Sequence, residues 1–326
     1  MAKIVLGIGT SHTPMLNAPV EDWPRFIERD RLRPHLTKEG APVTYAQLET
    51  LAPAHIAHEL LPQVFEDKHR RAMAHVERLS RLLREANLDT LIVVGDDQKE
   101  LYDDVNMPAI LVYRGATIRN VPLSSQVGPD WARRASARYY EPQVPRDYPV
   151  DVPLAEHLIT HLMEDFDLSC ANTLAEGLGE GHAFGFVHNR LLPGVAQPVV
   201  PIFLNTYFPP NQPTPARCYR LGQAIRRAVQ ALPGDQRIGI LASGGLSHFT
   251  VDPDLDGRVI EALKAGDGVA LAALPREQLN SGSSEIRNWI CVAGAVEHLV
   301  LRQIDYIPAY RTPAGTGTGL CFADWS

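Results

Sequence analysis

Short apolar runs alternate with amphipathic segments along this chain, and this alternation constrains its fold more than any other feature. Strand-like runs lie at residues 4–7, 90–95, 109–113, 199–205 and 238–242. Helix-like segments lie at residues 68–87, 154–166, 216–232 and 285–301. The pattern is typical of α/β proteins, in which helices cover the faces of a sheet. We therefore expect one α/β domain over residues 1–326, built on a central mixed sheet flanked by helices.

Residues 17–87 separate the first strand from the second and are expected to form a mainly helical insertion. The segment mixes charges and prolines before an amphipathic helix. An insertion that directly follows a strand end can cover a site at that edge of the sheet, so we predict a lid. His55 and His58 lie three residues apart in this segment; they either share a helix face and bind a metal or lie on an exposed surface.

The composition excludes several classes of partner and location. Of the 326 residues 45% are hydrophobic, enough for a large core, and the formal net charge is -7 with no basic block. Nucleic acid is therefore not an expected partner. No apolar stretch approaches the roughly 20 residues that span a bilayer, so no membrane association is expected, and we predict a cytoplasmic protein. The four cysteines form no CxxC pair and are predicted to be core residues of a reducing compartment.

Polar side chains that could bind a ligand or take part in catalysis follow three of the predicted strands. His12 follows the first strand, Asp97 and Gln98 follow the second, and His248 ends a glycine-rich turn after the strand at 238–242. In open α/β sheets ligands bind at the carboxyl edge of the strands, so these side chains are expected to meet there. Each of them taken alone also has an ordinary structural interpretation, such as a histidine satisfied in a turn.

Two further segments supply candidates. The glycine-rich stretch 179–188 is expected to be a loop that carries His182 and His188. Glu285 lies in the predicted first turn of a helix capped by Ser281. A carboxylate there ordinarily complements the helix dipole, but it can also bind a metal.

Together these elements resemble the class III extradiol ring-cleavage dioxygenases, the family of the β subunit of protocatechuate 4,5-dioxygenase. The resemblance spans nearly the whole chain and is carried by Ser11-His12-Thr13-Pro14, His182, Gly244-Gly245-Leu246-Ser247-His248, Glu285 with Trp289, and Tyr306-Ile307-Pro308-Ala309 with Gly319. The long insertion and the Gly-Asp-Asp-Gln sequence are closer to single-chain members that act on gallate or 3-O-methylgallate.

The resemblance implies a non-haem Fe(II) enzyme, with zinc or manganese as other candidate metals. It cleaves a catechol-type aromatic such as protocatechuate, gallate or methylgallate with O2. His12 and Glu285 would be metal ligands, His248 the acid/base, and His182 a hydrogen-bonding partner of substrate or oxygen. The family also implies a homodimer.

One position departs from the family pattern. Where the family has a second histidine ligand, this chain has Gln98, whose amide oxygen is a weaker donor than imidazole. Gln98 can be a neutral third ligand, Asp97 can take that place, or His188 or His58 can complete the set. Alternatively, Gln98 only binds substrate and the metal is weakly held or absent. Asp97 and His188 are also candidates for contacts with the substrate.

The departure keeps other functions open. A zinc-dependent hydrolase with His248 as base is one, and a non-catalytic subunit that supports an active partner is another. A serine hydrolase is disfavoured because no GxSxG elbow is present. Arg190 and Arg287 lie near the motifs and either pair with a substrate carboxylate or form surface salt bridges.

Overall fold

The computed structural model describes residues 1–124 and 128–326. Its strands are β1 (Lys3–Thr10), β2 (His35–Leu36), β3 (Pro42–Val43), β4 (Thr90–Asp96), β5 (Ile110–Tyr113), β6 (Thr117–Asn120), β7 (Arg146–Pro149), β8 (Ser169–Ala171), β9 (Val199–Leu204), β10 (Arg237–Ser243), β11 (Leu301–Tyr310) and β12 (Gly317–Trp325). Its α-helices are α1 (Phe26–Asp30), α2 (Tyr45–Leu51), α3 (Ile56–Glu59), α4 (Pro62–Glu85), α5 (Asp130–Ala137), α6 (Val152–Leu162), α7 (His182–Phe186), α8 (Pro215–Ala231), α9 (Pro253–Ala265), α10 (Gly268–Ala272) and α11 (Ile286–Ala295).

The predicted α/β class is confirmed. Eight strands form one mixed sheet in the order β11-β12-β1-β10-β4-β9-β5-β8. Strands β1, β10, β4 and β9 run parallel, whereas β12 and β5 run antiparallel to their inner neighbours. The five predicted strands correspond to β1, β4, β5, β9 and β10.

The central strands are buried on both faces because their side chains alternate between two apolar clusters. In β4, Ile92 and Val94 join the cluster that includes α6, α8 and α11. Leu91 and Val93 face the cluster that includes α4 and α7. The carboxyl ends of these strands therefore emerge between two covered faces, where polar groups can be held away from water.

The insertion at 17–87 contains the predicted long helix and several shorter elements. Helix α4 begins with Pro62 in its first turn, where the missing N–H costs no hydrogen bond, and buries Phe65, Val76 and Leu79. Before it lie short 3-10 turns, α1 to α3 and the hairpin of β2 and β3. No helix in residues 1–124 or 128–326 combines the length and apolar character needed to cross a membrane.

Three local expectations were wrong. The segment 179–188 is not a loop: α7 begins at His182 and continues into a π-helical turn, Val187–Leu191. The helix predicted to reach residue 301 ends at Ala295, because the chain turns there and His298 donates to the carbonyl of Ile4 at 2.9 Å before β11 begins. Cys170 is exposed, whereas the other three cysteines are buried as expected.

Candidate active site at the sheet edge

A cavity of about 410 Å³ lies at the carboxyl ends of the central parallel strands. Five of the residues singled out in the sequence line it: His12, Gln98, His182, His248 and Glu285. The register places Thr10 of β1 beside Ser243 of β10, so the segments that follow the two strands begin at the same level. The topology thus brings together side chains that are up to 273 residues apart in sequence.

His12 presents a bare ring nitrogen to the cavity. Its Nδ1 lies 3.0 Å from Oγ of Ser243, whose hydroxyl donates to the carbonyl of Ala183 at 2.6 Å. Because the serine proton is engaged there, Ser243 accepts from Nδ1–H, and Nε2 is the ring atom that faces the cavity. Nε2 is buried without a hydrogen-bond partner among the described residues, and it lies 3.3 Å from Oε2 of Glu285.

Glu285 ends a 3-10 turn, Ser281–Glu285, directly before α11. The predicted serine cap is absent, since no side chain caps this turn. Instead, the backbone N–H of Gly245 donates to Oε2 at 2.8 Å and Nε2 of His248 lies 3.0 Å from Oε1. Trp289 fixes α11 at this edge by donating to the carbonyl of Gly244 at 2.8 Å.

Gly9 is required for this packing. A Cβ atom at Gly9 would lie 2.2 Å from the Trp289 ring, a distance at which the atoms overlap. The absence of a side chain on β1 therefore lets the helix that follows Glu285 approach the sheet.

Asp96 is a further polar member of the site, one that sequence reasoning did not single out. It is the last residue of β4, is fully buried, and its Oδ1 lies 4.0 Å from Nε2 of His12. Burial, and then repulsion by Glu285, raise the pKa of Asp96 to about 6. Burial also opposes ionisation of Glu285, but the charges of His248 and His12 outweigh it and hold the pKa of Glu285 well below its usual range.

Gln98 lies at the centre of these groups. Its Nε2 is 3.3 Å from Oδ2 of Asp96, 3.3 Å from Oε1 of Glu285 and 3.4 Å from Nε2 of His182. Its neighbour Asp97 turns away, as alternation at a strand end requires, and accepts from the backbone N–H groups of Leu101 and Tyr102. Both carboxylate oxygens of Asp97 are engaged in these backbone hydrogen bonds, so its position does not support contact with substrate or with a bound ion.

His248 is fixed by its own loop. Its Nδ1–H donates to the carbonyl of Leu246 at 3.0 Å, which leaves Nε2 as the atom that faces Glu285. Burial alone would lower the pKa of His248, but the Glu285 carboxylate and the two hydrogen bonds raise it. Gly282 packs against the ring: a Cβ there would lie 2.0 Å from Cδ2 of His248.

Asp256, a buried carboxylate that the sequence analysis did not identify, holds the loop that carries His248. Both the N–H and the hydroxyl of Ser247 donate to Asp256, each at 2.7 Å, and the Tyr306 hydroxyl donates to it at 2.6 Å. Burial raises the pKa of Asp256 to about 6. These contacts fix the residue that immediately precedes His248.

His182 is oriented by Glu100. Its Nδ1 lies 2.7 Å from Oε2 of Glu100. The other oxygen of Glu100, Oε1, accepts a hydrogen bond from the Tyr140 hydroxyl at 2.8 Å. Burial would lower the pKa of His182, but the charge of Glu100 raises it to about 10. Burial would raise the pKa of Glu100, but its pairing with His182 lowers it to about 2. The ring of His182 meets that of His12 edge-on, with centroids 4.6 Å apart.

The other candidates lie outside the cavity. His188 is buried, stacks on Tyr148 with ring centroids 3.9 Å apart, and has its Nδ1 2.8 Å from Oε1 of Glu180. Its position therefore does not support substrate contact. His55 and His58 are exposed on the surface. His188 and His58 are therefore not placed to complete a metal site around His12.

Four ligand atoms converge at the cavity floor. One atom each from His12, Asp96, His182 and Glu285 lies within 4.8 Å of the others. Two imidazole nitrogens and carboxylate oxygens are the donors that non-haem Fe(II) and similar divalent metals prefer. The unpartnered Nε2 of His12 faces acceptor oxygens, an arrangement that a cation between them would stabilise.

Comparison with known proteins assigns the family. Residues 53–318 match the family described as the catalytic LigB subunit of aromatic ring-opening dioxygenase, and the chain belongs to that family. This membership confirms the resemblance to the class III extradiol dioxygenases that the sequence motifs indicated.

Individual relatives are more distant. A gallate dioxygenase of Pseudomonas putida is 30% identical over 191 residues, which cover 53% of this chain and 54% of that protein. A 2,3-dihydroxyphenylpropionate/2,3-dihydroxicinnamic acid 1,2-dioxygenase of Mycobacterium sp. is 34% identical over 112 residues, or 33% of each chain. The corresponding protein of Comamonas testosteroni is 33% identical over 103 residues, or 31% of each chain. The chain thus matches about half or less of the length of these curated relatives.

Proposed function

We propose that this protein is an Fe(II)-dependent extradiol dioxygenase that opens the ring of a catechol-type aromatic with O2. The observation that carries the proposal is the unpartnered Nε2 of His12, buried 3.3 Å from the Glu285 carboxylate in a cavity of substrate size. Family membership supplies the reaction class, and gallate dioxygenase among the relatives supports a gallate-like or protocatechuate-like substrate.

The donor set fits a divalent metal. His12 and Glu285 would hold it, and Gln98, whose Nε2 lies 3.3 Å from Oε1 of Glu285, would supply a third donor that is neutral. The Gln98 nitrogen donates to carboxylates here; rotation of the amide by a half-turn would present its oxygen to a cation instead. When bound, such a metal supplies open positions for both catechol oxygens and for dioxygen.

His248 is proposed as the acid/base. Its Nδ1–H is committed to the carbonyl of Leu246, so Nε2 is the ring atom that would exchange a proton with a substrate hydroxyl. Glu285 lies 3.0 Å from that atom and stabilises the imidazolium that forms.

His182 is proposed as a hydrogen-bond donor to substrate or oxygen. Glu100 accepts from Nδ1 and raises the pKa of the ring, so Nε2 carries a proton and points toward Gln98 in the cavity. An imidazolium in that place donates a hydrogen bond and favours negative charge that develops on the reacting molecule.

Anaerobic loading with Fe(II), followed by oxygen-electrode and absorbance assays on catechol, protocatechuate, gallate and 3-O-methylgallate, tests the proposal. We expect stoichiometric oxygen uptake with a ring-opened product from at least one of them. His12→Ala removes a proposed metal ligand and should lower both bound iron and oxygen uptake. His161→Ala, which changes an exposed histidine on α6, is its matched control. Absence of oxygen uptake by the iron-loaded protein with all four compounds would contradict the proposal and direct attention to hydrolysis by a zinc-loaded form.

A further inference from the structure

Two arginines of the insertion, Arg29 and Arg33, line the same cavity as His12 and Glu285. Both are half-buried. Among the described residues neither guanidinium has a carboxylate within 4.0 Å or a hydrogen bond; Arg29 contacts the face of Phe26 and Arg33 that of Phe249, at 5.8 and 4.5 Å. Unpaired guanidinium groups in a concave site are unusual, because partial burial of a charge costs free energy unless a partner compensates it.

Asp30, the carboxylate whose charge acts on both arginines, is already occupied. Asp30 accepts two hydrogen bonds from Arg311, at 2.8 and 2.9 Å, and a third from Thr316. Asp30 therefore pairs with Arg311, and Arg29 and Arg33 have no carboxylate partner among the described residues. Burial, and then repulsion by Arg33 and Arg311, lower the pKa of Arg29 to about 10, which leaves it cationic at neutral pH.

The surplus positive charge lies near the proposed reaction centre. Phe249, under the Arg33 guanidinium, is the residue after His248. The charge of Arg33 also acts on Tyr207, whose hydroxyl lies 3.5 Å from Oε1 of Glu285. The cavity therefore has carboxylates at its floor and unpaired guanidinium groups on its wall.

The arginines that the sequence suggested for this role are engaged elsewhere. Arg287 is buried and donates to the carbonyls of Pro213, Thr206 and Leu279. Arg190 donates to the carbonyl of Leu16 at 3.4 Å. Neither lines the cavity.

We propose that Arg29 and Arg33 form a subsite for a carboxylate carried by the aromatic substrate, at the end of the ring remote from the hydroxyls that face His12 and Glu285. The guanidinium fork matches a carboxylate in shape and charge. Phe26, Tyr139, Tyr207 and Phe249 also line the cavity and offer apolar surface to the ring. The inference rests on the proposed function and specifies which substrates it selects.

The test compares two ligands of nearly equal shape, protocatechuate and its neutral carboxamide, 3,4-dihydroxybenzamide. Arg29→Gln, Arg33→Gln and the double variant are measured beside Arg31→Gln, a matched control on the same segment whose exposed side chain lies over Tyr45 and outside the cavity. We expect the ratio of kcat/KM for the acid to that for the amide to fall at least about tenfold in each cavity variant, the effect of losing one charge-assisted hydrogen bond. The ratio should stay unchanged in Arg31→Gln, and Arg33→Lys should recover part of it.

A second arm measures binding of both ligands to the metal-free protein by titration calorimetry, where no turnover occurs. The subsite is supported if the wild type binds the acid more tightly than the amide and the double variant binds the two equally. Equal affinity of the wild type for acid and amide, or an unchanged ratio in the cavity variants, would overturn it. If the iron-loaded wild type consumes no oxygen with either ligand, the proposed function fails, while the calorimetric arm still decides whether Arg29 and Arg33 bind a carboxylate.

Discussion

Nδ1 of His182 lies 2.7 Å from Oε2 of Glu100, so a histidine of the cavity is held by a carboxylate that shares no sequence motif with it. The backbone N–H of His182 donates to the same carboxylate, and Gly181 allows the approach, since a Cβ there would lie 2.4 Å from Oε2. Glu100 therefore fixes both the orientation of the ring and the proton on Nδ1.

Glu100→Gln tests this relationship. Removing the charge leaves burial as the dominant effect, so we expect the pKa of His182 to fall well below 10 in the metal-free protein. Ring-cleavage activity should fall about 10- to 100-fold, as for other residues that orient active-site histidines. NMR titration of the imidazole and steady-state kinetics are the measurements. Glu156→Gln, which removes an exposed carboxylate paired with Arg114, is the control; equal effects of the two variants would contradict the assignment.

Gln98→His asks whether this position contacts the metal. Imidazole is a stronger donor than an amide oxygen, so we expect the variant to retain Fe(II) at lower free metal concentrations than the wild type. Metal content after equilibrium dialysis against graded chelator is the measurement. Unchanged affinity would remove Gln98 from the ligand set and leave His182 as the remaining nitrogen donor near His12.

That His12, Gln98 and His248 lie close together could be predicted, because each of them follows the carboxyl end of a strand. β1, β4 and β10 are apolar runs that stop abruptly, and parallel strands of one sheet bring their carboxyl ends to one edge. His12 and His248 could be placed there from sequence for that reason. Gln98 followed from the same argument applied to β4.

The neighbours of these residues were not predictable from local sequence. Whether Asp96 or Asp97 points toward His12 depends on the alternation of side chains at the end of β4, which composition does not reveal. Glu100 acts on His182, which is 82 residues away in sequence, and Asp256 contacts Ser247 from helix α9 rather than from the turn itself. The surroundings of His188 could not be predicted, because a histidine in a glycine-rich segment carries no signal of the buried Glu180 that contacts it.

His248→Ala separates metal binding from proton transfer. The ring is not among the converging ligand atoms, so we expect metal content to be retained. Loss of a positioned acid/base should reduce kcat about 10²- to 10⁴-fold. Metal analysis and oxygen uptake on the same preparation are the measurements, and a variant that turns over at the wild-type rate would exclude His248 from the mechanism.

Asp30→Asn tests the stability of the cavity wall. Burial alone would raise the pKa of Asp30, but the charge and hydrogen bonds of Arg311 and Thr316 bring it below its ordinary value of 3.8. Loss of the carboxylate leaves Arg311 buried without its partner, which should lower the free energy of unfolding at pH 7 by about 3–5 kcal/mol. The exposed pair of Arg119 and Asp147 provides the control, because Asp147→Asn should cost at most about 1 kcal/mol.

The difference in the free energy of unfolding between wild type and Asp30→Asn should depend on pH, and the direction of that dependence can be predicted. A carboxylate whose pKa is lower in the folded than in the unfolded state stabilises the folded protein fully when the pH is above the unfolded-state pKa. This stabilisation is lost as the pH falls through the folded-state pKa. The gap in urea stability between wild type and Asp30→Asn should therefore be largest near neutrality and narrow below pH 3.8. A gap that stayed constant into strong acid would show that Asp30 stabilises the wall through its shape and hydrogen bonds, without a contribution from its charge.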